Sequence, residues 1–438
     1  MQRIIIKNFG PIPNCCIDLK DFMIFIGEQA TGKSTICKSI YYCKSIRDEI
    51  KAHIHEIINK GVNSDKRFPS AINSSLKQKF IDLFGFTKPK DHFDIRFEYG
   101  EDVSLEIFLT QDENKYLNIE FSEKIIEKVR ELEEQAHYNY LSLRNISLQN
   151  ELYLQLERNK YFLVFDKAVN ELFNDDREIF YIPAGRGLLS LLTNQLLNIE
   201  IKNMDYITGD FMKLIQRCRS SFDVALSSLI ENDALINKSR YRTKRGKLAE
   251  KVRDILRGEY FFKDGVEYIK LKNNKKIPIN FTSSGQQEML WILNLLFLWM
   301  LQNRKVFVVI EEPEAHLFPN TQKELVEYIA LFANSNENQV IITTHSPYIL
   351  TAANNLLYAG RIGNVDKNVG NIIPEEKWLK LSSFGAYMIG ESENNYVKSI
   401  IDEELKEIAS EEIDRISNVI SSEYAQIFAL EDNYADKE

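Results

Sequence analysis

Two kinds of hydrophobic pattern run along this chain, and each predicts a different element. Apolar runs without polar interruption at residues 23–26 and 306–310 have the character of strands covered on both faces. At 94–99, 103–110 and 117–121, by contrast, β-branched and aromatic residues alternate with polar ones. This alternating set, broken by Gly100-Glu101-Asp102 and Gln111-Asp112-Glu113-Asn114, predicts a small antiparallel sheet. Residues 3–6 and 179–182 read as further short strands, and a turn-rich link with Gly10, Pro11 and Pro13 joins the first of them to residue 23. A hairpin is predicted over 260–262 and 267–271, around Lys263-Asp264-Gly265, leading into 277–281. Helical spacing runs from Lys33 into the fifties, from 123 to about 174, and on to about Arg257. It returns in the acidic C-terminal stretch, where Ile400, Ile401, Leu405, Ile408, Ile413, Ile416 and Ile420 predict more helices.

The most apolar segment, residues 289–301, is shorter than the ~20 residues that span a bilayer, which makes it a buried core helix and argues against a membrane partner. At 438 residues, 44% of them hydrophobic, the chain is long enough for about three domain-sized units and has no bias towards disorder or fibrous repeats. No internal repeat is present, and heptad-like stretches last only a few turns, so a long coiled coil is not expected. The formal charge of −9 argues against a surface that coats nucleic acid as a whole and leaves room for a local basic patch. Cys15, Cys16, Cys37, Cys43 and Cys218 are too irregularly spaced for a disulfide framework, and no export signal follows Met1, so reduced thiols in a cytoplasmic protein are expected.

Chemistry enters at Gly27-Glu28-Gln29-Ala30-Thr31-Gly32-Lys33-Ser34-Thr35, which contains G-x-x-x-x-G-K-[ST] between an apolar strand and a helix. The two glycines let backbone N–H groups wrap phosphates, Lys33 reaches the β/γ oxygens, Ser34 offers a hydroxyl to Mg²⁺, and the helix N-terminus adds its dipole. Far downstream the apolar run 306–310 ends in Glu311-Glu312-Pro313. A carboxylate at such a strand end holds Mg²⁺ through water, and its neighbour orients and deprotonates an attacking water. Glu311 is therefore assigned to the metal and Glu312 to the water, with ATP and Mg²⁺ as the expected ligands.

With these residues in place the chain resembles the ABC-type ATPase superfamily, in its SMC, RecF and OLD-like branch. Ile6-Lys7-Asn8-Phe9 is similar to that branch's first strand, and Glu311-Glu312-Pro313-Glu314-Ala315-His316-Leu317-Phe318-Pro319 to its extended Walker B. Thr282-Ser283-Ser284-Gly285-Gln286-Gln287, directly before the apolar helix, resembles the signature loop, with Ser284 at the usual middle glycine. Ile341-Ile342-Thr343-Thr344-His345-Ser346-Pro347 is similar to the switch-histidine strand. The resemblance covers about residues 1–35 and 275–360. It implies an α/β P-loop NTPase head, a mixed central sheet with flanking helices, bearing a mainly helical insertion and a small antiparallel β element. It implies further that His345 lies near the γ-phosphate and acts in catalysis with Glu312 and Lys33, and that two heads close on ATP. Ser283, Ser284, Gly285 and Gln286 of each head would then complete the other's site. The corresponding division is a first half of the head at 1–60, a β-containing lobe at 61–122, a helical insertion at 123–258, a second half of the head at 259–362, and an acidic helical extension at 363–438.

Some features depart from the pattern or stand apart from it. Glu311 occupies a position where many relatives have Asp, one methylene shorter. No aromatic precedes the P-loop to stack on adenine, and Phe9 reads as core. Tyr181-Ile182-Pro183-Ala184-Gly185-Arg186 stands at the Q-loop position without a Gln, leaving Arg186 as either an anion contact or a helix cap. His316 either communicates across a dimer or is a surface residue, and His53, His55, His92 and His137 have no metal-ligand spacing. Between Lys238 and Arg257 lies the strongest basic stretch, in which Arg240, Arg242, Lys244 and Arg245 are candidate DNA or RNA contacts; a solvated helix is the alternative. Ile389-Gly390-Glu391-Ser392-Glu393 faintly resembles the opening of a Toprim nuclease, but no later strand ends in Asp-x-Asp, and it is set aside as chance. The expectation is an ATP-driven switch, a homodimer or higher homo-oligomer that scaffolds or regulates a separately encoded nuclease or toxin in anti-phage defence. A RecF-like DNA-maintenance ATPase and a non-hydrolysing ATP-stabilised scaffold are the alternatives. A transporter's nucleotide-binding subunit is disfavoured by the long insert and by Glu311.

Overall fold

The computed structural model describes residues 1–61, 67–85, 92–109, 116–144, 151–192, 204–237, 242–392, 396–409 and 421–427. Strands β1 (Arg3–Phe9) and β2 (Ile12–Asp18) form a hairpin, and β3 (Phe22–Ile26) runs into the phosphate-loop motif and helix α1 (Lys33–Lys60). Next come α2 (Asn73–Phe84), strands β4 (Asp94–Gly100), β5 (Val103–Leu109) and β6 (Leu117–Phe121), and the helices α3 (Glu123–Arg144) and α4 (Glu151–Phe173). Strand β7 (Glu178–Ile182) leads to α5 (Arg186–Leu192), α6 (Tyr206–Cys218), α7 (Leu226–Asn237) and α8 (Arg242–Leu256). A three-stranded meander, β8 (Glu259–Lys263), β9 (Val266–Lys270) and β10 (Lys276–Pro278), precedes α9 (Ser284–Leu301). There follow β11 (Val306–Glu311), α10 (Pro319–Ala333), β12 (Gln339–Thr344), α11 (Pro347–Gly363), β13 (Phe384–Ile389), β14 (Val397–Ser399), the short pair β15 (Ile401–Asp402) and β16 (Glu407–Ile408), and a helical segment at 421–427.

The central sheet has the order β14-β13-β3-β12-β11-β7, parallel throughout except for β14. Every residue of β3, β11 and β12 is buried, as a strand covered on both faces must be. Successive side chains take opposite faces. Phe22, Ile24, Ile26, Val308, Ile310, Val340 and Ile342 enter a core with α9, while Met23, Phe25, Phe307, Val309 and Ile341 enter one with α1. Helix α9 is buried on nearly every side, including Trp291 and Trp299, which is why its sequence shows no polar face. No helix among the described residues is long and apolar enough to cross a membrane.

The domain division changes in three places. Residues 12–18, expected as a turn-rich link, form β2, and β1 pairs with β4, so one antiparallel sheet of order β2-β1-β4-β5-β6 joins residues 1–18 to the expected lobe at 61–122. Phe9 ties the same pieces together, its ring centroid 4.8 Å from that of Phe93 and 4.9 Å from that of Phe84. Within the expected helical insertion, β7 is the edge strand of the central sheet, paired in parallel with β11. The expected helical extension at 363–438 is corrected over residues 384–408, where β13 to β16 lie, while residues 421–427 are helical as expected. Its β13 pairs in parallel with β3, and Ile401 and Ile408 face each other in the β15–β16 ladder, with Leu405 in the turn between. Short strands joined by a turn can space apolar residues as a helix does, so periodicity alone could not separate them. Ile413, Ile416 and Ile420 lie outside the described residues.

Candidate functional site

Parallel pairing in register brings the motif-bearing strand ends together. Ile26 stands opposite Thr344, and Thr343 opposite Glu311, so Gly27, His345 and Glu312 leave the sheet side by side at its carboxyl edge.

The loop from Gly27 to Gly32 needs positive φ at Gly27, Ala30 and Gly32, at 156°, 62° and 89°. Glycine supplies this conformation without strain at two of the three. The Lys33 ammonium lies across the loop, donating to the carbonyls of Gly27 at 2.9 Å and Glu28 at 2.7 Å, while Thr31 Oγ1 donates to Glu28 O at 2.9 Å. Burial lowers the Lys33 pKa, and the charges of Glu312, Glu314 and Glu311 act against that. Gln29 and Ala30 are exposed at the loop crest, and Ser34 and Thr35 follow in the first turn of α1, with Ser34 exposed.

Across the edge, Glu311 is buried and already engaged. Tyr181 O–H donates to its Oε1 at 2.7 Å and the Ala184 N–H to its Oε2 at 3.2 Å. Burial, and then the Glu311 charge, push the Tyr181 phenol well up, so it remains a donor. Glu312 sits at φ 41°, its N–H donating to Thr343 O at 2.9 Å, and its more exposed carboxylate lies 3.5 Å from His345 Nε2. Glu314 fixes the switch, since its Oε1 accepts from Thr344 Oγ1 at 2.6 Å and from the His345 N–H at 2.8 Å. An exposed carboxylate beside an imidazole, facing a loop ammonium, can position a water and share its proton.

Arg186 resolves the two alternatives left open for it in favour of neither. It is fully buried and donates to the carbonyls of Pro183 at 2.6 Å, Glu288 at 3.1 Å, Glu311 at 2.5 Å and Glu312 at 2.9 Å, with the Glu288 carboxylate 3.4 Å away. Burial works to lower its pKa, against the surrounding carboxylates led by Glu288. The residue is thus a brace behind the strand end that bears Glu311 and Glu312.

Ser283 caps α9, its Oγ accepting from the Gln286 N–H at 3.3 Å while Gln286 Oε1 accepts from the Ser283 N–H at 3.2 Å. Gln286 Nε2 also donates to Leu256 O at 2.9 Å, so the Gln286 side chain is engaged in holding the loop. Ser284 is exposed, and a Cβ on Gly285 would lie 2.8 Å from the His316 carbonyl oxygen. His316, at φ 58°, therefore packs its backbone on the start of α9.

Of the candidate nucleic-acid contacts, Arg240 lies outside the described residues, and Arg242, Lys244 and Arg245 start α8 with side chains outside them. The cations that follow are drawn to carboxylates: Lys251 lies 3.6 Å from Glu376, Arg253 3.8 Å from Glu259 and Arg257 3.9 Å from Glu324. His53 and His55 sit 2.7 Å from Glu133 and 2.8 Å from Asp166, and so serve the packing of α1 on α3 and α4.

Among the described residues no cluster of three His, Cys, Asp or Glu side chains is arranged to hold a metal unaided. Ser34 offers an exposed hydroxyl and Glu311 a buried carboxylate that already accepts from Tyr181 and Ala184, a donor set of the chemical kind that Mg²⁺ takes together with waters and substrate phosphates. Sequence reasoning quoted Glu314 and Tyr181 within motif matches but gave them no role; Glu314 acts from the loop after β11 and Tyr181 from β7. It also missed the C-terminal segment. A Cβ on Gly27 would strike the Ile389 carbonyl, and one on Gly390 would lie 2.5 Å from Thr31 Cγ2, so the Toprim-like echo at Ile389-Gly390 is the end of β13 resting on the P-loop.

Comparison with known proteins adds the following. The family model described as AAA ATPase domain matches residues 1–350. The lipoprotein-releasing system ATP-binding protein LolD of Neorickettsia sennetsu is 26% identical over 95 residues, which are 22% of this chain and 40% of LolD. The chromosome partition protein Smc of Fusobacterium nucleatum is 23% identical over 184 residues, 42% of this chain and 15% of Smc. The matches thus span less than half the length of either relative. Among solved structures, an SmcHead bound to the C-winged helix domain of ScpA has a TM-score of 0.43 at 10% identity, covering 92% of this chain and 98% of that one. The SMC head domain from Thermotoga maritima has a TM-score of 0.34 at 13% identity, covering 80% and 90%.

Proposed function

This chain belongs to the AAA ATPase domain family, and we propose that it is a P-loop ATPase of the ABC and SMC type that hydrolyses ATP as a molecular switch, two copies closing around the nucleotide. The observation that carries this reading is the Glu312–His345 pair, 3.5 Å apart, on the sheet edge it shares with Lys33. In the proposed cycle the N–H groups of residues 27–35 and the Lys33 ammonium hold the triphosphate. Ser34 and Glu311 would hold Mg²⁺, which supplies charge neutralisation at the phosphates. Glu312 accepts the proton of the attacking water, and His345 orients the γ-phosphate and hydrogen-bonds Glu312. Ser283, Ser284 and Gly285 of a second copy complete the phosphate shell. An apolar rim on this face supports its being covered by protein: Phe281 is 80% exposed and Phe318, next to the Gly285 contact, 77%. The switch would report its state to a separate effector, a nuclease or toxin in anti-phage defence, as the resemblance implies.

The test compares Lys33→Ala with Glu312→Gln by nucleotide binding and by sizing with and without ATP. Lys33→Ala is expected to abolish ATP binding, and Glu312→Gln to retain ATP and accumulate dimers or larger assemblies. The same assembly state in both, whatever the ATP, refutes the switch. A second reading, ATP as structural glue with negligible turnover, is favoured by the Glu311 carboxylate being tied to Tyr181 and Ala184. Wild-type turnover no higher than that of Glu312→Gln would establish it.

A further inference from the structure

An open cavity of about 630 Å³ lies beside the P-loop and is used by none of the residues assigned so far. Its walls are Asn8, the β1–β2 turn at residues 10–13, His92 and Tyr396. The turn is pressed against the end of the P-loop, since a Cβ on Gly32 would lie 2.9 Å from both Pro11 and Ile12, and one on Gly10 3.7 Å from Thr35. The turn that walls the cavity therefore also packs on the chain where the loop turns into α1.

Tyr396 reaches this place from the far end of the chain, beyond the residues 1–350 that the family model matches. Its O–H donates to Thr31 O at 2.9 Å, inside the P-loop, and its carbonyl accepts from the Gly390 N–H at 2.8 Å. Gly390 in turn sits on Thr31, and Ile389 on Gly27. Tyr396 is thus tied to the phosphate loop by its hydroxyl and to the end of β13 by its backbone carbonyl.

The chemistry of the walls selects the ligand class. Among the described residues that line it none is a carboxylate, lysine or arginine, so the described wall is neutral and largely apolar. Pro11, Pro13 and the Tyr396 ring offer flat apolar surface, and Asn8 and His92 offer donors and acceptors at the rim. A volume within the roughly 300–1,000 Å³ of small-molecule pockets accommodates a heteroaromatic base and its ribose. With phosphates held by residues 27–35, the nucleoside must leave on one side of the α1 N-terminus, and this cavity adjoins it.

The geometry points to Tyr396 as the platform on which the nucleobase packs, supplying from the C-terminal hairpin the aromatic that is missing before the P-loop. The inference rests on the ATP-binding reading and names the residue that recognises the base. Binding of ATP and of inorganic tripolyphosphate to the full chain separates the two. Loss of a base–aromatic stack costs about fivefold in affinity at the lower end of its range. Tyr396→Ala is therefore expected to weaken ATP about fivefold or more and to leave tripolyphosphate within about twofold of wild type. Tyr396→Phe, which keeps the ring and loses the bond to Thr31, should bind ATP within about threefold. If Tyr396→Ala binds ATP as wild type does, or loses ATP and tripolyphosphate equally, Tyr396 is no base platform. Photolabelling of the wild-type chain with 2-azido-ATP is a second readout, expected to mark the peptide containing Tyr396; exclusive labelling elsewhere overturns the assignment. Lys33→Ala should lose both ligands, and unchanged binding there would instead refute the phosphate-loop reading.

Discussion

Replacing Arg186 tests whether the strand end bearing Glu311 and Glu312 is held by one buried cation. Arg186→Met keeps much of the side-chain bulk and removes donors from the carbonyls of Pro183, Glu288, Glu311 and Glu312. It also leaves the Glu288 carboxylate, 6% exposed, with the Gly187 N–H at 3.0 Å but without its cation. Removing one partner of a buried ion pair costs about 3–5 kcal/mol, and an unmade hydrogen bond to a buried carbonyl about 1 kcal/mol or more. A loss of about 4–5 kcal/mol is expected, a large part of the roughly 5–15 kcal/mol that holds a typical fold. Adding Glu288→Gln removes the orphaned charge and should restore about 2 kcal/mol. Urea unfolding followed by tryptophan fluorescence reads this directly, because Trp291 and Trp299 lie buried on α9, the helix that carries Glu288. A single variant within about 1 kcal/mol of wild type, or a double variant no more stable than the single one, would show that Arg186 is not the brace.

Two further substitutions test the supports around the site. Lys44 on α1 and Asp175 before β7 form a pair 2.5 Å apart, at 1% and 4% exposure. Burial opposes charge on Asp175, but Lys44, Arg177 and Arg47 outweigh it and hold the carboxyl below its ordinary range; burial likewise lowers Lys44, against the pull of Asp175. A depressed carboxyl contributes its full stability above its unfolded pKa of about 3.9 and loses it as the pH falls through the lower folded value. Asp175→Asn should therefore cost about 3 kcal/mol, a gap constant from about pH 5 to 8 that narrows only below about pH 4. Melting curves across that range check it, and a gap already closing between about pH 7 and 5 contradicts it. Gly285→Ala would gain about 1 kcal/mol in an isolated helix. Here its Cβ would press on the His316 carbonyl at 2.8 Å and on Leu317 at 3.0 Å, so a loss of about 1–3 kcal/mol and reduced turnover with ATP binding retained are expected. A stabilised variant with unchanged turnover would show that the His316 loop yields freely.

What could be read from the chain before its structure was known is the part written in local pattern. Residues 23–26 and 306–310 announce buried strands because both faces are covered, and residues 289–301 announce a core helix because no side faces water. The P-loop, Glu311, Glu312 and His345 were legible because each sits at the carboxyl end of its own strand or in the loop that follows it. Their convergence at one edge was expected from the resemblance and follows physically from the parallel register of β3, β12 and β11. Partners across the chain were not legible. Nothing near Arg186 in sequence says that its acceptors include Glu288, Glu311 and Glu312, and nothing near Glu311 says that Tyr181 donates to it.

The C-terminal segment shows why such pairings escape a pattern. Strand β13 carries Gly385 and Tyr387 among its apolar residues and spans Phe384–Ile389, too short to stand out. Its role depends on β3: Met388 stands opposite Ile26, so Ile389 and Gly390 meet Gly27 and Thr31 as the P-loop leaves the sheet. The phosphate loop therefore has two walls, one the β1–β2 turn against Gly32 and the other the end of β13 against Gly27. A Cβ at Gly27 is excluded by the Ile389 backbone as well as by its own positive φ, so this glycine answers to the end of β13 and not to phosphate alone. The conformation of the loop and the docking of the C-terminal hairpin are in this way one structural fact, and a change at Gly27, Thr31 or Gly390 acts on both.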